Sequence, residues 1–283
     1  MISQRPRRSA LYMPAANLRA IDKARLLACD VVILDLEDAV APDAKTVARD
    51  RAIAAVVAGG FGQREVVIRI NGLETPWGAA DLAAATTARP DAILVPKINA
   101  PVDLQPFEAA LVGETRLWAM IETCASLFAL DQIAGAGGRL EALVIGTNDL
   151  AREMGCRPGV ERLALAGPLA MSVAAARLHG LSILDGVYNE IEDDAGLTRQ
   201  CLQGRDFGFD GKTLIHPRQI AAANAAFAPS PDEIAWSRTI LAAFDLPENA
   251  AKGTLQIEGR MVERLHLAAA RRMIAMASAM EAV

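Results

Sequence analysis

The sequence predicts an α/β fold, a (β/α)8 TIM barrel with a short C-terminal helical extension. Three observations predict it. Short apolar runs, many of them β-branched, alternate with alanine-rich stretches of helical pattern. The alternation repeats eight times within about 215 residues, enough for one barrel. The unusual polar residues cluster where the apolar runs end, which in a barrel is the C-terminal face that carries chemistry.

The expected strands are Ala10–Met13, Val31–Leu34, Val66–Ile70, Ala92–Val95, Arg116–Ile121, Ala142–Ile145, Ser182–Leu184 and Thr213–Ile215. Between them lie expected helices at Asn17–Ala28, Lys45–Ala58, Trp77–Thr86, Val102–Leu111, Ser126–Ala134, Arg162–His179 and Leu197–Gly204. An eighth begins at Pro217, because proline suits a first helical turn. An open doubly wound sheet is the competing architecture, but no Gly-x-Gly-x-x-Gly turn follows the first strand. The barrel domain is expected over residues 1–229, and residues 230–283 read as an extension. Ser230-Pro-Asp-Glu233 starts a helix that reaches Phe244, a polar stretch follows over Leu246–Gly253, and Met261–Met280 forms a last helix. So short a tail is expected to lack a core and to pack on the barrel or on a neighbouring subunit.

Composition narrows the function. Hydrophobic residues make up 52% of the chain and aromatics only 4%, which suits close helix-on-sheet packing. The net charge is −5 and no basic stripe stands out, so nucleic acid is not an expected partner. Arg5, Arg7 and Arg8 read as a solvated end. No apolar run approaches the ~20 residues of a membrane span, and no signal-peptide pattern is present. The four cysteines show no metal-type spacing and read as reduced thiols of a cytoplasmic protein. Of these, Cys124 reads as a small buried apolar residue.

Two acids carry most of the chemical information. Glu122 and Asp149 each follow an apolar run, 27 residues or about one βα unit apart. Neighbouring strands lie about 4.8 Å apart, so two carboxylates at their ends can share one hard cation. Upstream, Asp35-Leu-Glu-Asp-Ala-Val40 packs three acids into four residues, either as a solvated helix start or against a cation. Arg69 sits inside an apolar run and needs an anionic partner, the acid cluster or a substrate. Lys97 ends the fourth strand, where it pairs with an acid or holds a substrate anion. None of the three histidines has a partner at ligand or triad spacing, and His216 is expected to bond locally.

These residues resemble a known family. Arg8-Ser-Ala-Leu-Tyr-Met-Pro14, Asp35-Leu-Glu-Asp-Ala-Val40 with Lys45, Val67-Ile-Arg-Ile-Asn71, Pro96-Lys97, Ile121-Glu-Thr123, Gly146-Thr-Asn-Asp-Leu150 and Gly211-Lys-Thr-Leu-Ile-His-Pro-Arg-Gln219 are similar to the citrate lyase β-subunit-like branch of the HpcH/HpaI aldolases. The resemblance implies a Mg2+-dependent barrel that cleaves or forms a 3-hydroxyacyl-CoA of malyl- or citramalyl-CoA type, its partners being an acyl-CoA thioester and a small oxo acid. It also implies a homotrimer or hexamer. By resemblance, Glu122 and Asp149 are the metal ligands, Arg69 neutralises the oxygen that gains charge, and Glu37 and Asp38 orient metal-bound water. The Gly211–Gln219 stretch closes the barrel and shapes the CoA side of the mouth, or is a plain turn and helix start. The alternatives are a thioester hydrolase or CoA-independent aldolase on the same scaffold, or an acyl-carrier-dependent subunit of a lyase complex.

The chain departs from the family in two places. The tail segment Asp-Gly-Lys-Met-Ile-Asp of malyl-type members, whose second Asp serves a neighbouring subunit as acid/base, here reads Glu258-Gly-Arg-Met-Val-Glu-Arg-Leu265, with Glu263 in the reacting position. The family's Glu-Thr-Ala here reads Glu122-Thr-Cys124. Related hydroxy-dioic acid aldolases place a His base after the second strand, where this chain has Asp38.

Overall fold

The computed structural model describes residues 5–249 and 251–281. The chain divides into two compact units, one built on Arg7–Phe227 and the other on Ala228–Val283. In the first, eight parallel strands close into a barrel in sequence order: β1 (Ser9–Pro14), β2 (Val31–Asp35), β3 (Glu65–Arg69), β4 (Ala92–Val95), β5 (Arg116–Ile121), β6 (Leu140–Ile145), β7 (Ser182–Asp185) and β8 (Gly211–Leu214). β1 pairs with both β2 and β8, which completes the ring.

The period of two along each strand sorts the side chains. Ala10, Tyr12, Val31, Ile33, Val67, Leu94, Trp118, Met120, Val144 and Leu184 belong to the cluster that fills the barrel. Their outward-facing neighbours, such as Leu11, Val32, Ile68, Ile93 and Leu143, join the larger core beneath the helices. The helices are α1 (Leu18–Ala24), α2 (Lys45–Ala58), α3 (Gly78–Ala88), α4 (Gln105–Ala110), α5 (Cys124–Phe128), α6 (Leu130–Ala134), α7 (Thr147–Glu153), α8 (Ala166–His179), α9 (Asp194–Phe207) and α10 (Ile220–Phe227). Alanine at 48, 52, 55, 85, 176 and 223 lets these helices lie close on the sheet.

Several expectations need correction. The helix expected over Ser126–Ala134 is two short helices, broken at Ala129. The helix α7 was not anticipated, because its first turn, Thr147-Asn-Asp149, is polar and masks the helical period. The N-terminal arginines are not a solvated end. Arg7 is buried, with its Nε and Nη2 donating to Glu65 at 2.7 Å each, Nη2 also to Glu141 at 2.7 Å and Nη1 to Ser182 at 2.9 Å. Its guanidinium lies 4.9 Å over the Trp118 ring and plugs the N-terminal end of the barrel. Arg8 forks onto Asp30 at 2.7 and 2.8 Å.

The second unit contains α11 (Pro231–Asp245), an antiparallel hairpin of β9 (Thr254–Ile257) and β10 (Arg260–Glu263), and α12 (Arg264–Glu281). The start of α11 is a capping box, Ser230 Oγ accepting from the Glu233 amide and Glu233 Oε2 from the Ser230 amide. Two expectations fail here. The last helix starts three residues later than Met261, and what precedes it is a hairpin turning at Glu258 and Gly259, whose φ values are 49° and 77°. The tail also has a small core of its own, Ile240, Phe244, Ile257, Val262, Leu267 and Ala270. Among the described residues no helix is long and apolar enough to cross a membrane.

Candidate active site

Alternation aims the last residue of several strands into the C-terminal mouth. Asp35 and Arg69 are cross-strand partners at the ends of β2 and β3. Glu122 continues the inward series of Trp118 and Met120. Asp35, Arg69, Met120 and Glu122 line a cavity of about 260 Å³ together with Tyr12, Asp38, Asn148, Asp149, Val187, Asn189 and Thr213.

Arg69 is the electrostatic centre. Its Nε and Nη2 donate to the two oxygens of fully buried Asp35, both at 2.6 Å. Its Nη1 lies 2.7 Å from Glu37 Oε2 and donates to Asp38 Oδ2 at 3.2 Å. The Tyr12 ring sits 4.6 Å beneath the guanidinium. The acid cluster is therefore compensated by Arg69 rather than left to solvent. Asp35 also accepts from the amides of Glu37 at 2.9 Å and Ala39 at 3.1 Å, which fixes the turn. Lys45 braces the same turn from behind, donating to the Leu36 and Glu37 carbonyls and to Asn71 at 2.8–2.9 Å. Sequence reasoning named Glu37 and Asp38 and missed that Asp35 is the main partner. The signal was present, because the period of two puts 31, 33 and 35 on one face.

Glu122 is buried, and Oε1 accepts from the Lys97 amide at 2.8 Å. Lys97 makes that contact from a left-handed backbone, φ 54°, a strained setting for a non-glycine residue. Its side chain is exposed and does not line the cavity, so the structure does not bring it to the pocket. Burial pushes the Glu122 carboxyl up to about 7, with Asp149 adding to the rise and the Lys97 amide opposing it. Gly146 gives Glu122 room, since a Cβ there would lie 2.5 Å from Oε2. Asp149 lies not at the strand end but in the first turn of α7, where Oδ1 accepts from exposed Arg152. The N-terminal turn of α7 favours that negative charge.

Glu37 stands just behind the lining. Burial pushes its carboxyl up to about 8, Arg69 opposing and Asp38, Glu122 and Asp35 adding to the rise. Its Oε2 is buried without a hydrogen-bond donor, the Arg69 contact being close but misaligned. Glu263 ends β10 in the second unit, its amide donating to His266 Nδ1 at 2.9 Å. His216 bonds locally, its Nδ1 accepting from the Arg218 amide at 3.2 Å. Cys124 is half-exposed rather than buried, and its amide donates to Glu153 at 3.0 Å.

The donor set suits a hard divalent cation. Two carboxylates face one cavity, one of them buried at an energetic cost that a cation would offset. A water held by such a cation is the kind of donor that Glu37 Oε2 lacks. Among the described residues no group of three or more His, Cys, Asp or Glu is disposed to hold a metal.

The chain is similar to known proteins along most of its length. A (3S)-malyl-CoA thioesterase of Cereibacter sphaeroides strain KD131 is 48% identical over 277 residues, 98% of this chain and 96% of the relative. An L-malyl-CoA/beta-methylmalyl-CoA lyase of C. sphaeroides strain ATCC 17025 is 32% identical, covering 92% of this chain and 91% of its own. The structure of CitE from Mycobacterium tuberculosis in complex with magnesium, acetoacetate and coenzyme A is 28% identical, with a TM-score of 0.78 over 98% of this chain and 100% of that one. The model of the HpcH/HpaI aldolase/citrate lyase family matches residues 8–217, most of the chain, and the chain belongs to that family.

Proposed function

We propose that this chain is a Mg2+-dependent enzyme that hydrolyses a malyl-CoA-type thioester. The observation that carries hydrolysis over carbon–carbon cleavage is the whole-length likeness of 48% to a malyl-CoA thioesterase, against 32% to a malyl-CoA lyase. This reading favours the hydrolase alternative over the lyase expectation.

Glu122 and Asp149 would hold the metal, leaving about four positions for water and substrate. Bound magnesium would supply a Lewis acid and a template for the acid fragment. Asp35 occupies the Nε/Nη2 edge of Arg69, so Nη1 is the edge that meets the thioester carbonyl oxygen as it gains charge. Glu37 and Asp38 orient the attacking water. Glu37, held 2.7 Å from Arg69 Nη1 with Oε2 lacking a hydrogen-bond donor, is the carboxylate placed to take the water's proton and return it to the leaving thiolate. Water adds to the carbonyl carbon, the C–S bond breaks, and the products are a free acid and CoA thiol.

The lyase relative supports a second reading. In it Glu263 of a neighbouring chain takes the substrate hydroxyl proton, the C–C bond breaks to leave an oxo acid and a thioester enolate that Arg69 stabilises, and Glu263 returns the proton to the enolate carbon. This requires a homo-oligomer, a trimer or hexamer. Incubation with (3S)-malyl-CoA tests the proposal. Mg2+-dependent thiol release that chelation abolishes is expected, and a rate unaffected by chelation or by Glu122→Gln contradicts it.

A further inference from the structure

We infer that a buried charged triad behind the cavity, Asp185, Lys212 and Arg162, positions Gly186–Asn189, one wall of the site. Asp185 and Lys212 are cross-strand partners on β7 and β8, and both are fully buried. Neither lines the cavity. Lys212 Nζ donates to Asp185 Oδ2 at 2.9 Å, to Gln200 Oε1 at 2.8 Å and to the Gly186 carbonyl. Arg162 Nη1 donates to both Asp185 oxygens at 2.7 and 3.0 Å, and its Nε to Gln203 at 2.8 Å. The Gly186 amide donates back to Asp185 Oδ1 at 2.8 Å. Both backbone polar groups of Gly186 are thus held by the triad.

What Gly186 carries explains the consequence. A Cβ at 186 would lie 2.4 Å from Thr147 Oγ1 and 2.8 Å from the Ile145 carbonyl, so the wall runs hard against the end of β6. Val187 and Asn189 then line the cavity, and Asn189 exchanges hydrogen bonds with Asn148, the neighbour of Asp149, at 2.9 and 3.2 Å. Arg162 reaches the triad from a left-handed backbone, φ 49°, and local strain of this kind persists only where the surroundings over-determine it. A buried ion pair is a weak source of stability compared with packed apolar side chains, so three charges here are better explained by the geometry they fix.

The inference does not depend on which bond the enzyme breaks. Arg162→Gln, on a loop, and Lys212→Met are compared with wild type by KM, by Mg2+ affinity and by amide exchange at 186–189 without substrate. Faster exchange confined to that stretch is expected, with KM raised about tenfold or more, on the scale of a ~1 Å misplacement. Mg2+ affinity changes much less than KM, because Glu122 and Asp149 lie on other elements and the exposed Asn189–Asn148 pair is the wall's hydrogen-bonded link to α7. Arg162→Lys keeps one donor and recovers much of the loss. A fall in melting temperature with wild-type KM and exchange overturns the inference, as does a parallel loss of Mg2+ affinity, which would show general loosening. If Lys212→Met does not fold, Arg162→Gln decides alone.

Discussion

Replacing Arg69 with lysine separates its two roles. The arginine makes two hydrogen bonds to Asp35, both at 2.6 Å, while Nη1 reaches Glu37 and Asp38. Lysine keeps the charge but offers a point rather than a planar fork, so at most one of the two Asp35 bonds survives. Loss of one charge-assisted bond at a fully buried acceptor lowers stability by about 1.5–3 kcal/mol. Arg69→Met removes the cation and leaves Asp35 buried with only its two backbone donors, a loss of about 3–5 kcal/mol. Urea denaturation gives both values, and an Asp35→Asn/Arg69→Met double variant should be less damaged than the sum of the singles, because the two groups share one interaction. The catalytic role predicts a separate effect in Arg69→Lys: kcat/KM falls about 100- to 1,000-fold, the scale for one lost oxyanion donor. Weakened stability with kcat/KM within about threefold of wild type would refute the oxyanion assignment. Unchanged stability would refute the ion-pair reasoning.

Glu122→Gln or Asp149→Asn should abolish Mg2+ binding and turnover together while preserving the fold, and calorimetry showing unchanged affinity in both sinks the ligand assignment. Protons compete with the metal for Glu122, whose carboxyl sits at about 7, so Mg2+ affinity should rise as pH increases through that value. The sign for stability is opposite. A raised carboxyl favours the metal-free fold most below the unfolded carboxylate value and loses that advantage as pH rises through about 7, so the melting-temperature gain from Mg2+ should grow over the same window. A pH-independent gain contradicts this. Under the lyase reading Glu263→Gln is inactive alone, as is Asp149→Asn, and mixing the two should restore activity after subunit exchange if Glu263 serves a neighbouring site. Exchange confirmed by mass spectrometry without recovery rules that out.

The barrel was legible because its strands bury both faces, and such runs stand out as short apolar blocks between alanine-rich helices. The inward direction of Glu122 was legible for the same reason, following Trp118 and Met120 at intervals of two. Asp149 was assigned to the right pocket but the wrong element, since Gly146 ends β6 and α7 begins at once in polar residues. Arg7 was not legible. Its partners Glu65, Glu141 and Ser182 are 58 to 175 residues away, and no local pattern records them. The same holds for Asp185, Lys212 and Arg162, brought together only by barrel closure. The hairpin of β9 and β10 left a faint signal, Glu258-Gly259 between two short alternating runs, which the helix-forming residues downstream obscured.

The product balance with (3S)-malyl-CoA and Mg2+ tests the central claim most directly. Hydrolysis yields free malate and free CoA thiol in equal amounts, with no oxo acid trapped by phenylhydrazine. Glyoxylate and acetyl-CoA appearing together, without free thiol, would contradict the hydrolase reading and make the enzyme a carbon–carbon lyase.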